Sequence, residues 1–251
     1  MKITFLGTSH GAPAKHRNCS AAMLEVGGGI YFIDGGAPLI EEFLKIKDET
    51  ELKKVRGIFT THSHSDHTFG ILHLASLMDW FYALPLDIYM TEPDIIEAMK
   101  NLYSAAMPGH KEFDPERVRF RLVSPNFVYE DENIKLSFIP TAHMEDCGKR
   151  PCYAILIEAE GKKVLFSGDM SRGLKYRDLP EIVSKERLDL FICEMAHFSL
   201  EDVRPYLENC LAEKVYFNHV FPFSKYEEIE GAKGNFAFEM GYLNDGDVFE
   251  L

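Results

Sequence analysis

Residues 60–70 read TTHSHSDHTFG, Thr60 to Gly70, with His62, His64, Asp66 and His67 packed into six positions. The preceding run VRGIF is a short apolar strand that delivers its end to this cluster. In an extended segment residues i and i+2 point to the same side, so His62 and His64 can grip one ion together. The chain then turns into a helix after Asp66, which redirects Asp66 and His67 toward a second ion close by. Imidazole and carboxylate without thiolate favour Zn²⁺, with Mn²⁺ or Fe²⁺ as alternatives. The plain alternative, a polar surface loop, does not account for three histidines in so short a stretch.

Three further donors stand at strand ends. His143 closes LSFIPTAH, Asp169 closes KKVLFSGD and His219 closes KVYFNHV. Each alone is a weak signal. Together they share one position, since a sheet presents the loops after such strands to one rim. Counting ligands then gives His62, His64 and His143 for one metal and Asp66, His67 and His219 for the other, with Asp169 bridging. Seven ligands leave room for a water or hydroxide between two ions ~3.5–4 Å apart.

The rest of the chain fits an α/β protein. Strand composition recurs in KITFLGT, AAMLEVGG, IYFIDGG, LDIYMT, VRFRLV, FVYE, CYAILIEAEGKKVLFSGD, LDLFICEMA and DVFEL. IEAEGKKVLF has the form of a hairpin with Gly161 in its turn. Helices are expected at 38–47, with Leu39, Ile40, Phe43, Leu44 and Ile46 as the apolar face, and over TFGILHLASLMDWFYA. A third follows Thr91 as N-cap with Pro93 in the first turn. A fourth is opened by Ser199 with Asp202 three residues on, close to a capping box. The expectation is a single domain over residues 1–251: two sheets face to face with helices outside.

The 251 residues are 46% hydrophobic, enough to bury a substantial core. No apolar run approaches the ~18 residues that span a membrane, and MKITFLGTSHG reads as a strand entering a glycine turn, not a signal peptide. A cytoplasmic protein with no membrane association is expected. The five cysteines are odd in number and scattered, which suits a reducing compartment. The formal net charge of −13 disfavours non-specific binding to nucleic acid. A small anionic substrate remains compatible, because bound metal ions invert the local field. The oligomeric state is open, a homodimer among the options.

The motif THSHSDH, followed by His143, Asp169 and His219 in that order, resembles the metallo-β-lactamase superfamily, and FLGTSHG and YFIDGG resemble that fold's opening strands and Asp-Gly turn. The resemblance runs through nearly the whole chain. It implies a four-layer αββα sandwich of two mixed β-sheets flanked by helices, and it carries the family's metal roles onto the seven residues above. Asp34 matches an aspartate that supports the site from behind the ligands. Histidine at 64, where the diiron oxidoreductase branch usually has glutamate, favours hydrolysis over redox chemistry. Many true β-lactamases carry cysteine where this chain has Asp169. FLGTSHGAPAKHRNCSAAML is similar to the start of ribonuclease Z and related phosphodiesterases, and CEMAHF resembles the Glu-containing segment of ribonuclease Z that supports catalysis. One departure matters: ribonuclease Z carries a long substrate-binding arm between the third-histidine loop and the bridging aspartate. Here only 26 positions separate His143 from Asp169, and a hairpin uses them. Some family members supply the arm from a partner subunit.

The functional expectation is a dinuclear metal-dependent hydrolase cleaving a phosphodiester, small or cyclic, by metal-bound hydroxide. Hydrolysis of an ester, thioester or lactone on the same centre is the first alternative. A metal-dependent ligand-binding or sensor protein is the second, and redox chemistry at iron the third. Catalytic candidates are Asp66, His197 and Glu194; the last two lie three apart just after a strand, where a His–Glu pair can protonate a leaving alkoxide. His10, His16, Lys149 and Arg150 are candidates for substrate contact. His73 is expected to be structural, and Arg117, Arg119 and Arg121 to form a solvated strand face. The aromatic tracts DWFY and FNHVFPF could line an apolar pocket, with core packing the default expectation for both.

Overall fold

Strands such as Ala21–Val26 and Cys152–Ala159 are apolar on both faces, and a strand presents alternate residues to opposite sides. Each must therefore be covered twice. The computed structural model describes all 251 residues and meets this demand with two sheets packed face to face and helices over both outer surfaces.

The first half runs β1 (Lys2–Gly7), β2 (Ala21–Val26), β3 (Gly29–Ile33), α1 (Leu39–Ile46), β4 (Val55–Phe59), α2 (Ser65–Ser76), β5 (Leu86–Met90), α3 (Pro93–Ala106) and β6 (Val118–Leu122). The second runs β7 (Val128–Glu130), β8 (Lys135–Thr141), β9 (Cys152–Ala159), β10 (Lys162–Phe166), α4 (Ile182–Lys185), β11 (Leu190–Met195), α5 (Leu200–Leu207), β12 (Lys214–Val220), α6 (Lys225–Ala232), β13 (Glu239–Tyr242) and β14 (Val248–Glu250). The strand orders are β14-β1-β2-β3-β4-β5-β6 and β13-β12-β11-β10-β9-β8-β7, each mixed.

Along β2, Ala22 and Leu24 face the second sheet while Ala21 and Met23 face the helices; along β11, Leu190 and Ile192 face inward while Phe191 and Cys193 face α5 and α6. Three apolar layers result, one between the sheets and one under each helical face. The four-layer αββα sandwich of the metallo-β-lactamase fold is thus the architecture of this chain.

Strand direction makes the site. Strands β3 and β4 are parallel, and β10, β11 and β12 are parallel. Strand β8 is antiparallel to β9 and β9 to β10, so β8 runs with β10. The loops after β8, β10 and β11, and the end of β12, therefore emerge on one rim. The amide of Tyr153, at the start of β9, donates to the Thr61 carbonyl at 2.9 Å and joins the two sheets at that rim.

Several local expectations need correction. Helix α2 begins at Ser65, so Asp66 and His67 lie inside its first turn and His64 is the N-cap. Glu92, not Thr91, occupies the N-cap position of α3, without a side-chain hydrogen bond to the helix; the Thr91 hydroxyl instead pairs with that of Ser63 at 2.9 Å. Leu44 and Ile46 of α1 face solvent, because the buried stripe is Leu39, Ile40 and Phe43. The capping box at Ser199 and Asp202 forms in both directions. In the β9–β10 hairpin Glu160 and Gly161 both take positive φ, which suits the twist of a two-residue turn. Helix α6 and strand β13 had no clear signal in the sequence.

Candidate metal centre

The strand-to-helix turn after β4 sets the first donors. His62 is fully buried, with its Nδ1 3.0 Å from the Thr61 hydroxyl. Its Nε2 lies 3.0 Å from Nδ1 of His64, and His143 Nε2 lies 3.3 Å from the same atom. His143 is oriented by its own Nδ1, which donates to the Met170 carbonyl at 3.1 Å and so leaves Nε2 as the lone pair facing inward. Three ring nitrogens thus converge.

The second group forms around the first turn of α2. That turn sits against the Asp34–Gly36 bend, with the Gly35 amide donating to the His67 carbonyl at 2.7 Å. A Cβ at Gly36 would stand 2.2 Å from the Asp66 carbonyl oxygen, so only glycine allows this approach. Asp34 accepts from His67 Nδ1 at 2.8 Å and from the Thr61 amide at 2.8 Å. His67 Nε2 is buried without any hydrogen-bond partner. Asp66 Oδ2 accepts the Gly11 amide at 2.8 Å and lies 3.4 Å from His67 Nε2 and 3.6 Å from His219 Nε2.

Asp169 stands between the groups. Its oxygens lie 3.7 Å from His62 Nε2, 3.7 Å from His143 Nε2, 3.6 Å from His67 Nε2 and 3.3 Å from His219 Nε2. Within each of the two sets, His62–His64–His143–Asp169 and Asp66–His67–His219, the donor atoms lie within 4.8 Å of one another.

This donor set fits divalent ions on grounds internal to the protein. Converging lone pairs repel unless a cation lies among them, and an orphaned buried nitrogen such as His67 Nε2 is costly without a partner. Charges respond accordingly. Burial lowers the pKa of His62 far below the ordinary imidazole range, and the neighbouring His67 adds to this. Burial opposes protonation of His67 too, but the charges of Asp34 and Asp169 outweigh it and raise its pKa well above that range. Burial works against ionisation of Asp169, yet His219, His67 and His62 hold its carboxyl well below the usual value. Asp66 is likewise depressed: the nearby His67, and then His219, overcome burial.

Glu194 and His197 sit at the same rim. Glu194 ends buried in β11, and His197 Nδ1 lies 3.0 Å from its Oε1. A carboxylate only accepts here, so His197 carries a proton on Nδ1 toward Glu194, which leaves Nε2 free on a ring that lines the cavity. Burial tends to lower the pKa of His197, but the Glu194 hydrogen bond and charge prevail and push it up to about 9. His197 Nδ1 stands 3.8 Å from Asp169 Oδ2.

The cavity over these groups measures about 290 Å³ and is lined by His10, Gly11, His64, Asp66, Asp169, Arg172, Ala196, His197, His219 and Phe221. A larger surface groove of about 630 Å³, between α4 and α5, contains none of the donors. His10 lines this cavity and stacks on Phe221 with ring centroids 3.9 Å apart.

Other candidates lie elsewhere. His16 is exposed, and Lys149 projects into solvent near Glu145. Arg150 is held by Glu92 at 2.5 Å. His73 is on the surface beside Glu41, not buried. Arg119 and Arg121 pair with Asp87 of β5, and Arg117 with Asp114 and Asp79. Trp80, Phe81, Tyr82, Phe221 and Phe223 are substantially exposed, so the core expectation for their tracts holds only for Phe217 and its buried neighbours. Arg172 and Asp178 had no sequence signal. Asp178 accepts from the amides of Ala142 and Ser171 at 2.9 and 2.8 Å and so ties the His143 loop to the Asp169 loop.

No helix is long and apolar enough to cross a membrane, and all five cysteines are free.

Comparison with known proteins follows the same lines. A family model described as anti-Pycsar protein Apyc1 matches residues 1–240. Ribonuclease Z of Rippkaea orientalis is 34% identical over 142 residues, which is 55% of this chain and 42% of that protein; the match thus spans less than half of that relative. The metallo-β-lactamase fold protein YhfI from Bacillus subtilis superposes with a TM-score of 0.78 at 19% identity, covering 100% of this chain and 99% of that one. Human tRNase Z, short form, superposes with a TM-score of 0.71 at 19% identity, covering 100% and 99%. These two structures are similar in fold.

Proposed function

The chain belongs to the anti-Pycsar protein Apyc1 family and carries the metallo-β-lactamase fold, and on that premise we propose that it is a dinuclear metal-dependent hydrolase of a small or cyclic phosphodiester. The observation that carries this reading is the Asp169 carboxylate, 3.3–3.7 Å from ring nitrogens of both donor sets. His62, His64 and His143 would hold one ion, and Asp66, His67 and His219 the other. Zn²⁺ suits a set of imidazoles and carboxylates. Divalent ions held there would lower the pKa of water and offset charge on phosphoryl oxygens.

The chain's own residues supply the remaining steps. Asp66, fixed by the Gly11 amide, and Asp169 orient what enters between them. Arg172 on the cavity wall meets an anionic group. His197, oriented by Glu194, gives a proton from Nε2 to the departing alkoxide. A cavity of about 290 Å³ lies at the small end of ligand pockets, which supports a small substrate over a folded RNA. The 143-to-169 connection supports the same choice, since β9 and β10 occupy it and leave no arm there. The ribonuclease Z relative is by name a nuclease, which supports phosphodiester chemistry over ester hydrolysis.

A panel of chromogenic phosphodiesters, cyclic phosphodiesters, thioesters and lactones tests this on metal-loaded protein. The expected result is turnover of phosphodiesters with kcat/KM at least about 100-fold above the carbon esters, a difference of ~2.7 kcal/mol in transition-state stabilisation. Preference for a thioester or lactone would replace the substrate class. Saturable binding without turnover across the panel would replace the enzyme by a sensor.

A further inference from the structure

Lys225 opens α6 with its side chain almost wholly buried. Two effects oppose an ammonium there. Desolvation penalises the charge and pulls its pKa down. The N-terminus of a helix also carries the positive end of the backbone dipole, which repels a cation. Its hydrogen-bond partners are backbone carbonyls, not a carboxylate: Nζ donates to Phe198 at 2.7 Å, Met195 at 2.9 Å and Ala196 at 3.3 Å. All three N–H donors of the ammonium are thereby used.

Those carbonyls belong to the turn that carries His197. From the other side, Glu194 holds the same turn by its amides, accepting from Ala196 at 2.6 Å and His197 at 3.2 Å while its second oxygen meets His197 Nδ1. The turn is gripped by an anion on its N–H groups and a cation on its C=O groups. Lys225 also stands six residues after His219, and the Phe221 amide donates to the Met195 carbonyl at 3.4 Å. The segment after one metal-donor strand is thus fastened to the turn of the proton donor.

We propose that Lys225 is a positioning residue for His197: it fixes the 195–198 turn through its carbonyls and, opposite Glu194, sets where the free Nε2 of His197 points into the cavity. The inference rests on the reading of His197 as the proton donor. Lys225 itself does not line the cavity and hydrogen-bonds none of the metal donors.

The test compares wild type, Lys225→Met, His197→Ala and the double variant, all metal-loaded, on two phosphodiesters. One has an alkyl leaving group that needs a proton; the other has a nitrophenyl group that does not. Lys225→Met is expected to keep both metal ions and to lose about 10-fold or more on the alkyl diester, part of the ~10²–10⁴ that a placed general acid contributes. On the nitrophenyl diester it stays within about threefold. In the His197→Ala background the same substitution costs nothing further on the alkyl diester, because residues acting through one group are not additive. Lys225→Gln keeps two N–H donors; it should lose less and gives the reading if the methionine variant does not fold. Equal losses on both diesters, additive losses with His197→Ala, or loss of metal or fold in both Lys225 variants would assign Lys225 to stability alone. A leaving-group effect in His197→Ala but not in the Lys225 variants overturns only this inference. Its absence from His197→Ala overturns both.

Discussion

His67 Nδ1 lies 2.8 Å from Oδ2 of Asp34, and both residues are buried behind the donor cluster. The carboxylate fixes the proton on Nδ1 and aims Nε2 into the site, as partners behind metal-ligating histidines generally do. Asp34→Ala should therefore weaken the ion held by Asp66, His67 and His219 by about 10–100-fold. The ion held by His62, His64 and His143 should change less. Competition with a chromophoric chelator reads both affinities; equal affinity of wild type and variant for both ions would remove the role.

Metal stoichiometry checks the division of ligands. Wild-type protein should bind two ions per chain by anomalous scattering or mass spectrometry of bound metal. Asp169→Ala should disturb both sites, since its oxygens approach all four of His62, His67, His143 and His219. His143→Ala should deplete one ion and spare the other. Full occupancy of both in that variant contradicts the assignment, and a wild-type chain with a single ion contradicts the dinuclear reading.

His197→Ala should retain both ions, because its proposed role is at the leaving group. Activity on alkyl-leaving phosphodiesters should fall ~10²–10⁴-fold, and activity on nitrophenyl esters far less. Steady-state kinetics on the two substrates decides it, and metal loss on substitution would show His197 to be a ligand.

Isolated chain should not process precursor tRNA, given the hairpin between His143 and Asp169 and the net charge of −13. Gel analysis of a 3′-extended tRNA should show no site-specific cleavage under conditions where a small phosphodiester turns over. Efficient 3′ cleavage would restore a nuclease reading.

Asp87 anchors Arg119 and Arg121 on the surface of the first sheet. Burial raises its pKa, but hydrogen bonds and charge from Arg119 and then Arg121 outweigh this and hold it below the ordinary range. Its folded pKa is below the unfolded value of about 3.9. The stabilisation is thus present above that pH and is lost as pH falls through the folded pKa. Asp87→Asn should cost about 0.5–1 kcal/mol at pH 7, the size of a partly screened pair. Urea titrations should show the gap to wild type narrowing as pH drops below about 4. A gap independent of pH would mean that packing, not charge, is lost.

What the sequence determined by itself is local. His62, His64, Asp66 and His67 fall on a strand-to-helix turn, where a period of two and the start of a helix fix their directions over a few bonds. The both-faces-apolar strands called for layers on either side, and Ser199 with Asp202 announced a helix start because capping is a contact over three residues. Helix α6 escaped because only Ile229 and Ala232 among its apolar residues are buried, too few to mark a periodic face.

Tertiary structure decided which distant residues meet. The approach of Asp169 to four histidines depends on β8, β10 and β12 ending on the rim where β4 ends, a matter of strand order and direction across two sheets. The grip of Lys225 on the 195–198 turn, the Asp178 link between the His143 and Asp169 loops, and Arg172 on the cavity wall have the same origin. So does the pairing with Glu92 that holds Arg150 away from the cavity. Side-chain direction follows from backbone geometry over two or three residues, whereas contacts between residues dozens of positions apart are set by sheet register and packing, which no short window of sequence encodes.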